Sequence, residues 1–596
     1  MIEKKILKKT VDAIKEIYGQ EINPSSIGLE KTKKEIAGDF TIVVFPFLKM
    51  SRKSPEVTAA EIGSYLQNNM NEILSYQVIK GFLNLEICDS YWLNFLQENM
   101  SNDGYCFTIS RGEPPIVLEY SSPNTNKPLH LGHIRNNLLG FSLSEILKAN
   151  GHQVIMVNLV NDRGIHICKS MLAYINWGNG ETPESAGIKG DHLIGKYYVL
   201  FNKHYQEEIA ELVGQGKSQE EAERQAPLII EAQEILRKWE TRDEETIALW
   251  QKMNSWAYEG FDQTYLRLGI AFDRIYHESD TYLLGKKLVM EGLLNGAFYQ
   301  KDDGSIWVDL KDEGLDEKLL LRADGTSVYI TQDLGTAQLR YDDFHPSEMI
   351  YVVGNEQNYH FDVLKKSLSK LGKEFASHIQ HLSYGMVELP HGKMKSREGA
   401  VVDADALMDE MFAIAESTTR ELGKANELSE KEASRLFNTI GLGALKYYIL
   451  KVDPKKNMLF DPGESIDFNG NTGPFIQYTY ARIQSLLGKA NDLGFLWKDV
   501  NISFQSPLHR LEKETIVRLY QFQEAVIGAG NDRSPAVIAN YVYDLAKGFN
   551  QFYQELPVMK EVDREKVFLR LMITHFTGET IRKAMSLLGI QAPPKM

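Results

Sequence analysis

Cysteine is almost missing from this chain: Cys88, Cys106 and Cys168 are the only three in 596 residues. They stand far apart without a Cys-x-x-Cys spacing, which argues against a zinc knuckle or a redox pair. An odd, low count suits a reducing compartment, so a cytoplasmic protein is expected. Long apolar runs are missing as well. No stretch reaches the roughly 18 apolar residues of a membrane span. The opening MIEKKILKKTVDAIKEIYG is amphipathic, but it carries acids and lacks a cleavage-type ending, so neither a signal nor a transit peptide is expected. Net positive charge is also lacking: the formal charge is −15. Phosphate binding favours basic surfaces, so a nucleic-acid partner would need basic residues gathered locally. Candidate stripes are Lys31–Lys34, Lys49–Lys53 and Lys446–Lys456. Internal repeats and low-complexity tracts are absent.

What is present is an ordinary globular composition, 43% hydrophobic and 25% charged, long enough for three or four domains. The chain is organised around Ile116–His133, IVLEYSSPNTNKPLHLGH. Ile116–Tyr120 reads as a short buried strand after Pro114-Pro115. Ser121–Asn124 is loop chemistry, and Pro128 biases Lys127 away from helix. Apolar residues at Ile134, Leu138, Leu139, Leu143, Ile146 and Leu147 then follow helical spacing, closed by Asn150-Gly151. Val154–Val157 is a second strand. A helix N-terminus presents free N–H groups and a positive dipole end. With His130, His133 and Lys127 beside it, and Gly132 leaving room for a flat ring, this loop suits a nucleoside triphosphate. The plainer alternative is a pair of histidines that only cap the helix.

The His-x-Gly-His pattern resembles the HIGH signature of class I aminoacyl-tRNA synthetases, and EYSSPNTNKPLHLGHIRNNLLG is similar to the arginyl-tRNA synthetase version. The resemblance extends over nearly the whole chain. GDFTIVVFPFLKMSRKSPEVTAAEI is similar to that family's N-terminal extra domain, which touches the tRNA elbow. FNGNTGPFIQYTYARIQSLL is similar to the opening of its helical anticodon-binding domain. The expected fold is therefore a multidomain α/β protein. Residues 1–110 form an α+β N-terminal domain. Residues 111–400 form a doubly wound, Rossmann-like catalytic domain with a helical insertion at about 165–318. A helical connection over 401–467 and an all-α anticodon-binding domain over 468–596 follow. The alternation of strand, loop and helix in LLLRADGTSVYITQDLGTAQLRYDDF and EMIYVVGNEQNYHFDVLKKSLSKLG supports the doubly wound sheet, whose ligands sit at the carboxyl ends of the strands.

A site for arginine needs a carboxylate matching the guanidinium fork. Tyr329 and Asp333 lie four apart in an expected helix and so share one face. The resemblance assigns this pair to guanidinium recognition, and Glu119, Asn124 and Gln357 to further contacts with the amino acid. It assigns His130, Gly132 and His133 to ATP and catalysis. The second class I signature, KMSKS, falls on Lys393-Met394-Lys395-Ser396. Lys393 and Met394 match it, but its second lysine is replaced by Ser396. Lys127 or Lys395 is expected to substitute. Asn161-Asp162-Arg163-Gly164 stands where family members commonly have Gly-Asp-Trp-Gly, so an arginine replaces the usual aromatic. Tyr478 is expected to stack on an anticodon base.

The resemblance implies arginyl-tRNA synthesis. The arginine carboxylate attacks the α-phosphate of ATP, with Mg²⁺ on the phosphates, and the arginyl group then passes to tRNA(Arg). A monomer is expected. Glutamyl and cysteinyl synthetases are the nearest alternatives. The first should offer basic side chains where Glu119 and Asp333 stand, and the second needs a zinc cysteine set. A non-catalytic RNA-binding paralogue is the alternative of another kind, against which the intact His130, Gly132 and His133 count.

Overall fold

Ile116–Glu119 forms a strand whose four side chains are all buried. Its apolar, β-branched start suits the middle of a parallel sheet covered on both faces. It pairs in parallel with Glu348–Gly354 on one side and Val154–Val160 on the other. Ile379–Tyr384 and Arg274–His277 complete a five-stranded parallel sheet. Numbered along the chain, the spatial order is fifth, fourth, first, second, third. The order reverses between Ile116–Glu119 and Glu348–Gly354, which places a ligand crevice at their carboxyl ends. The computed structural model describes residues 2–33, 35–110, 112–389, 402–423, 428–495, 497 and 506–596.

The helix Leu131–Ala149 follows the first strand and lies close against it. A Cβ on Gly140 would come within 2.3 Å of the Tyr120 ring, so only glycine permits this approach. The insertion is helical, its longer helices being Ile165–Trp177, Gly190–Gly214, Pro227–Glu240 and Glu244–Leu268. The helical run ends at Leu268, well before the expected position near 318. The reason is Arg274–His277, which returns to the sheet in register with Val157–Val160. It is short and lacks an apolar run, so its sequence does not announce a strand. Tyr329–Phe344 is helical, as its spacing implies.

By their contacts the described residues fall into two units. One comprises Cys106–Leu486, Phe522–Lys547 and Gly578–Met596, and contains the parallel sheet. The other comprises Met1–Tyr105, Leu487–Gln521 and Gly548–Thr577. In the latter, an antiparallel sheet carries Phe40–Val43 and Phe82–Ile87 at its centre. Ser54 caps the helix Pro55–Asn69, with the proline in its first turn. The Tyr520 hydroxyl accepts from the Ile2 amide at 2.7 Å and donates to Glu3 at 2.7 Å. The N-terminal residues therefore pack with C-terminal helices inside a single unit. The C-terminal segment is helical as expected: Gly473–Asp492, Arg510–Tyr520, Phe522–Asn531, Pro535–Glu555 and Arg564–Leu587.

Lys446 does not belong to a surface stripe. It is 6% exposed and donates to the Gly589 carbonyl at 2.6 Å. Burial lowers its pKa to about 8.

Candidate active site

The helix Leu131–Ala149 begins with a capping box made from histidines. The Gly132 amide donates to His130 Nδ1 at 3.1 Å, and the His130 amide donates to His133 Nδ1 at 3.2 Å. Both Nδ1 atoms are therefore acceptors, and a neutral ring then carries its proton on Nε2. Burial, with Lys127 nearby, lowers the His130 pKa to about 4 and holds that of His133 well below the usual value. The histidines do cap the helix, and the capping itself prepares them as neutral donors. Lys127 is half-buried, and burial lowers its pKa also.

Two adjoining residues at the start of the loop that leads into this helix are strained. Ser121 and Ser122 have φ of 79° and 46°, a region that β-carbon-bearing residues avoid. Buried amides hold them there. Asn136 Oδ1 accepts the Ser121 amide at 2.6 Å, and Asn158 Oδ1 accepts the Ser122 amide at 3.0 Å. Asn136 also donates to the Val352 carbonyl at 2.7 Å, which ties the turn to the neighbouring strand end.

The segment from Ser121 to His133, a loop and the first turn of the helix, lines two cavities. One, about 230 Å³, is lined by Ser121, Ser122, His130, Gly132 and His133, and across from them by Gly354, Glu356 and Met386. The other, about 450 Å³, is lined by Asn124, Asn126 and Lys127 from the same loop. Its far wall brings Arg163, His166, Glu278, Arg322, Tyr329 and Gln332.

The residues expected at an amino-acid site are distributed unevenly around it. Asn124 and Tyr329 line the larger cavity, and Tyr329 is exposed. Asp333 lies one helical turn beyond Tyr329 and meets His360 Nε2 at 2.5 Å. Gln357 is exposed in a short turn after the Glu348–Gly354 strand. Glu119 is buried and already paired: Arg340 forms its ion pair, and the Ser122 hydroxyl donates to it at 2.9 Å. Lys393, Met394, Lys395 and Ser396 lie outside the described residues. Tyr478 is half-buried, with the Arg482 guanidinium 4.9 Å from its ring centre.

Glu278 is the residue that sequence reasoning missed. It follows Arg274–His277 directly, so it stands at the carboxyl end of a sheet strand as Glu119 does. The unrecognised strand hid it. Burial raises its pKa to about 7; Arg163 opposes the rise, and Asp162 and Asp333 add to it. The larger cavity thus has a half-buried acid on its wall with a second acid close by.

Three family models match the chain. "tRNA synthetases class I (R), catalytic domain" covers residues 96–461, "DALR anticodon binding domain" covers 476–596, and "Arginyl tRNA synthetase N terminal domain" covers 4–87. The arginine–tRNA ligase of Bacteroides thetaiotaomicron is 56% identical over 596 residues, 100% of each chain. The chain belongs to the arginyl-tRNA synthetases. The arginine–tRNA ligase of Parabacteroides distasonis is 55% identical, again over 100% of both. The Thermus thermophilus arginyl-tRNA synthetase structure has the same fold as this class I synthetase, with a TM-score of 0.79 at 24% identity over 100% of both chains.

Among the described residues of this synthetase, one group has the spacing of metal ligands: Asp191, His192 and Asp405. Lys189 Nζ lies 2.6 Å from Asp405 and 3.5 Å from Asp191, so an ammonium already answers those carboxylates. His192 lies 3.3 Å from Asp403 and 3.4 Å from Asp405, which raises its pKa to about 10. This group is an ion-pair network. No helix among the described residues is long and apolar enough to cross a membrane.

Proposed function

We propose that the larger cavity receives L-arginine, that the smaller one receives the nucleoside end of ATP, and that the loop between them is where the two react. The observation that carries this reading is the course of that loop, whose middle lines one cavity while its ends line the other. An amino-acid carboxylate on one side and an α-phosphate on the other would meet across Lys127 and His130. Attack of the carboxylate on the α-phosphate forms arginyl-adenylate and expels pyrophosphate. The terminal ribose hydroxyl of tRNA(Arg) then takes the arginyl group and AMP leaves.

Each side chain has a role that follows from its state. His130 and His133 are neutral, so they donate from Nε2–H to phosphate oxygens as charge develops there. Lys127 contributes positive charge, and a bound triphosphate favours that charged form against the burial that lowers its pKa. Lys393 and its neighbours are assigned to the same phosphates by their match to the second class I signature. Tyr329, Asp333 and Glu278 form the guanidinium pocket. Asn124 and Gln357 serve the α-amino end. Glu119 acts through its pair with Arg340, holding the strand end and the Ser122 turn in place.

Magnesium enters with the nucleotide. The loop side of the smaller cavity presents histidines, serines and glycine, and Glu356 stands across from them, which does not make a protein cage for the ion. Mg²⁺ keeps much of its water and is commonly held through substrate phosphates. The N-terminal domain and its Lys49–Lys53 segment are assigned to the tRNA elbow, and Tyr478 to an anticodon base. The enzyme is proposed to act as a cytoplasmic monomer.

The test is arginyl-adenylate formation by His130→Ala and His133→Ala. Loss of a donor to the transition state costs about 10²–10³ in rate, while tRNA binding should stay nearly unchanged. Rates within a few-fold of the unaltered enzyme would overturn the assignment.

A further inference from the structure

We infer that Asp162 and Arg163 are positioning residues for arginine selection, acting together to fix the segment that aims Glu278 into the amino-acid cavity. This rests on the assignment of Glu278 to the guanidinium pocket.

The dipeptide follows the Val154–Val160 strand, and Gly164 after it begins the helix Ile165–Trp177 at φ 105°, a conformation that favours glycine. Both of the successive side chains meet the segment from His277 to Tyr282, Asp162 at Ser279 and Arg163 at Tyr282. Asp162 is 1% exposed. Its Oδ1 accepts the Ser279 amide at 2.9 Å, and its Oδ2 accepts the Ser279 hydroxyl at 2.7 Å and the Tyr258 hydroxyl at 2.9 Å. Its backbone carbonyl accepts from Trp250 Nε1 at 2.7 Å and from Asn254 at 3.1 Å, so the turn is itself anchored to the insertion helix Glu244–Leu268. Arg163 lays its guanidinium 3.9 Å from the centre of the Tyr282 ring and 5.2 Å from that of Trp239. Glu240 lies 3.3 Å from its Nη2.

Glu278 thus sits immediately before the residue gripped by Asp162 and four before the one stacked on Arg163. The segment carrying it is a short helical turn, Glu278–Thr281, without a capping side chain of its own. Its placement depends on these outside holds. Arg163 also lines the cavity with Glu278, while its side chain is only 11% exposed. A second cation in a pocket for a cationic substrate would oppose binding if it were free to move. Stacked on Tyr282 and countered by Glu240, it is fixed to one side, where it opposes the burial that raises the Glu278 pKa.

The test compares Arg163→Met, Glu278→Gln and their combination in the full chain, by aminoacylation with tRNA. The readouts are KM for arginine, KM for ATP and inhibition by citrulline, the neutral near-isostere. Arg163→Met should raise arginine KM at least about tenfold, which is 1.4 kcal/mol, and leave ATP KM within about twofold. Glu278→Gln should do the same, and the combined variant should be no worse than Glu278→Gln, because Arg163 acts through that carboxylate. Arg163→Lys, which keeps charge but not the planar stack, should fall between the unaltered enzyme and Arg163→Met. If Arg163→Met does not fold, Ser279→Ala removes one hold on the segment and should raise arginine KM with little change for ATP. Multiplying effects in the combined variant, equal loss for ATP and arginine, or an unchanged arginine KM in Arg163→Met or Ser279→Ala would overturn the inference. An unchanged arginine KM in Glu278→Gln would overturn the pocket assignment beneath it.

Discussion

Arg340 is held against Glu119 in an ion pair whose side chains are 1% and 9% exposed. The pair joins the carboxyl end of the first strand to the helix Tyr329–Phe344, so the loop that lines the two cavities and the helix that carries Tyr329 and Asp333 share one anchor. The rings of Tyr351 and Tyr276 lie 5.2 and 5.5 Å from the guanidinium.

Removing one partner leaves the other charge buried. Arg340→Met should therefore destabilise the unit by about 3–5 kcal/mol, read as earlier unfolding in urea. The double change Arg340→Met with Glu119→Gln should recover much of the loss, since it removes both charges. A single-substitution cost below about 1 kcal/mol, the range of exposed pairs, would show that the pair is solvated.

The raised pKa of Glu278, about 7, gives arginine binding a pH dependence with a defined sign. The guanidinium needs the carboxylate, which is lost as pH falls through that value. The arginine KM should rise from about pH 8 to about pH 6, and arginine binding should release protons in that window, because the bound cation favours the charged form. Isothermal titration in buffers of different ionisation enthalpy measures the protons directly. Proton uptake on binding, or a KM flat across the window, would contradict the assignment.

His130 should remain neutral across the working range. Histidine-selective NMR should find its titration near its shifted value of about 4, with Nδ1 unprotonated above it. A midpoint close to 6.5, the usual value for histidine, would mean that the ring works as a cation.

The strand–loop–helix around His130 was legible because a β-branched strand, a Pro-bounded loop and a 3.6-residue period follow one another within a short stretch. The helix beginning at Tyr329 was legible for the same reason. Glu278 was not, because Arg274–His277 has only one buried side chain and follows a long helical run. The compensation of Glu119 was not either, because nothing near residue 119 announces a partner in a helix that starts at residue 329. Lys446 was misread as surface charge because counting lysines does not reveal which of them is buried against a backbone carbonyl.

The guanidinium pocket is tested most directly at Asp333. Asp333→Asn keeps the size and one acceptor and removes the charge. Charge-assisted hydrogen bonds contribute about 1.5–3 kcal/mol, and each 1.4 kcal/mol is about a factor of ten. The measurement is arginine KM and citrulline inhibition in both proteins at one pH and saturating tRNA. Arginine KM should rise at least about tenfold, ATP KM should change little, and citrulline should compete on more equal terms than in the unaltered enzyme. An unchanged arginine KM with unchanged discrimination against citrulline would contradict the pocket and leave Asp333 as the partner of His360 alone.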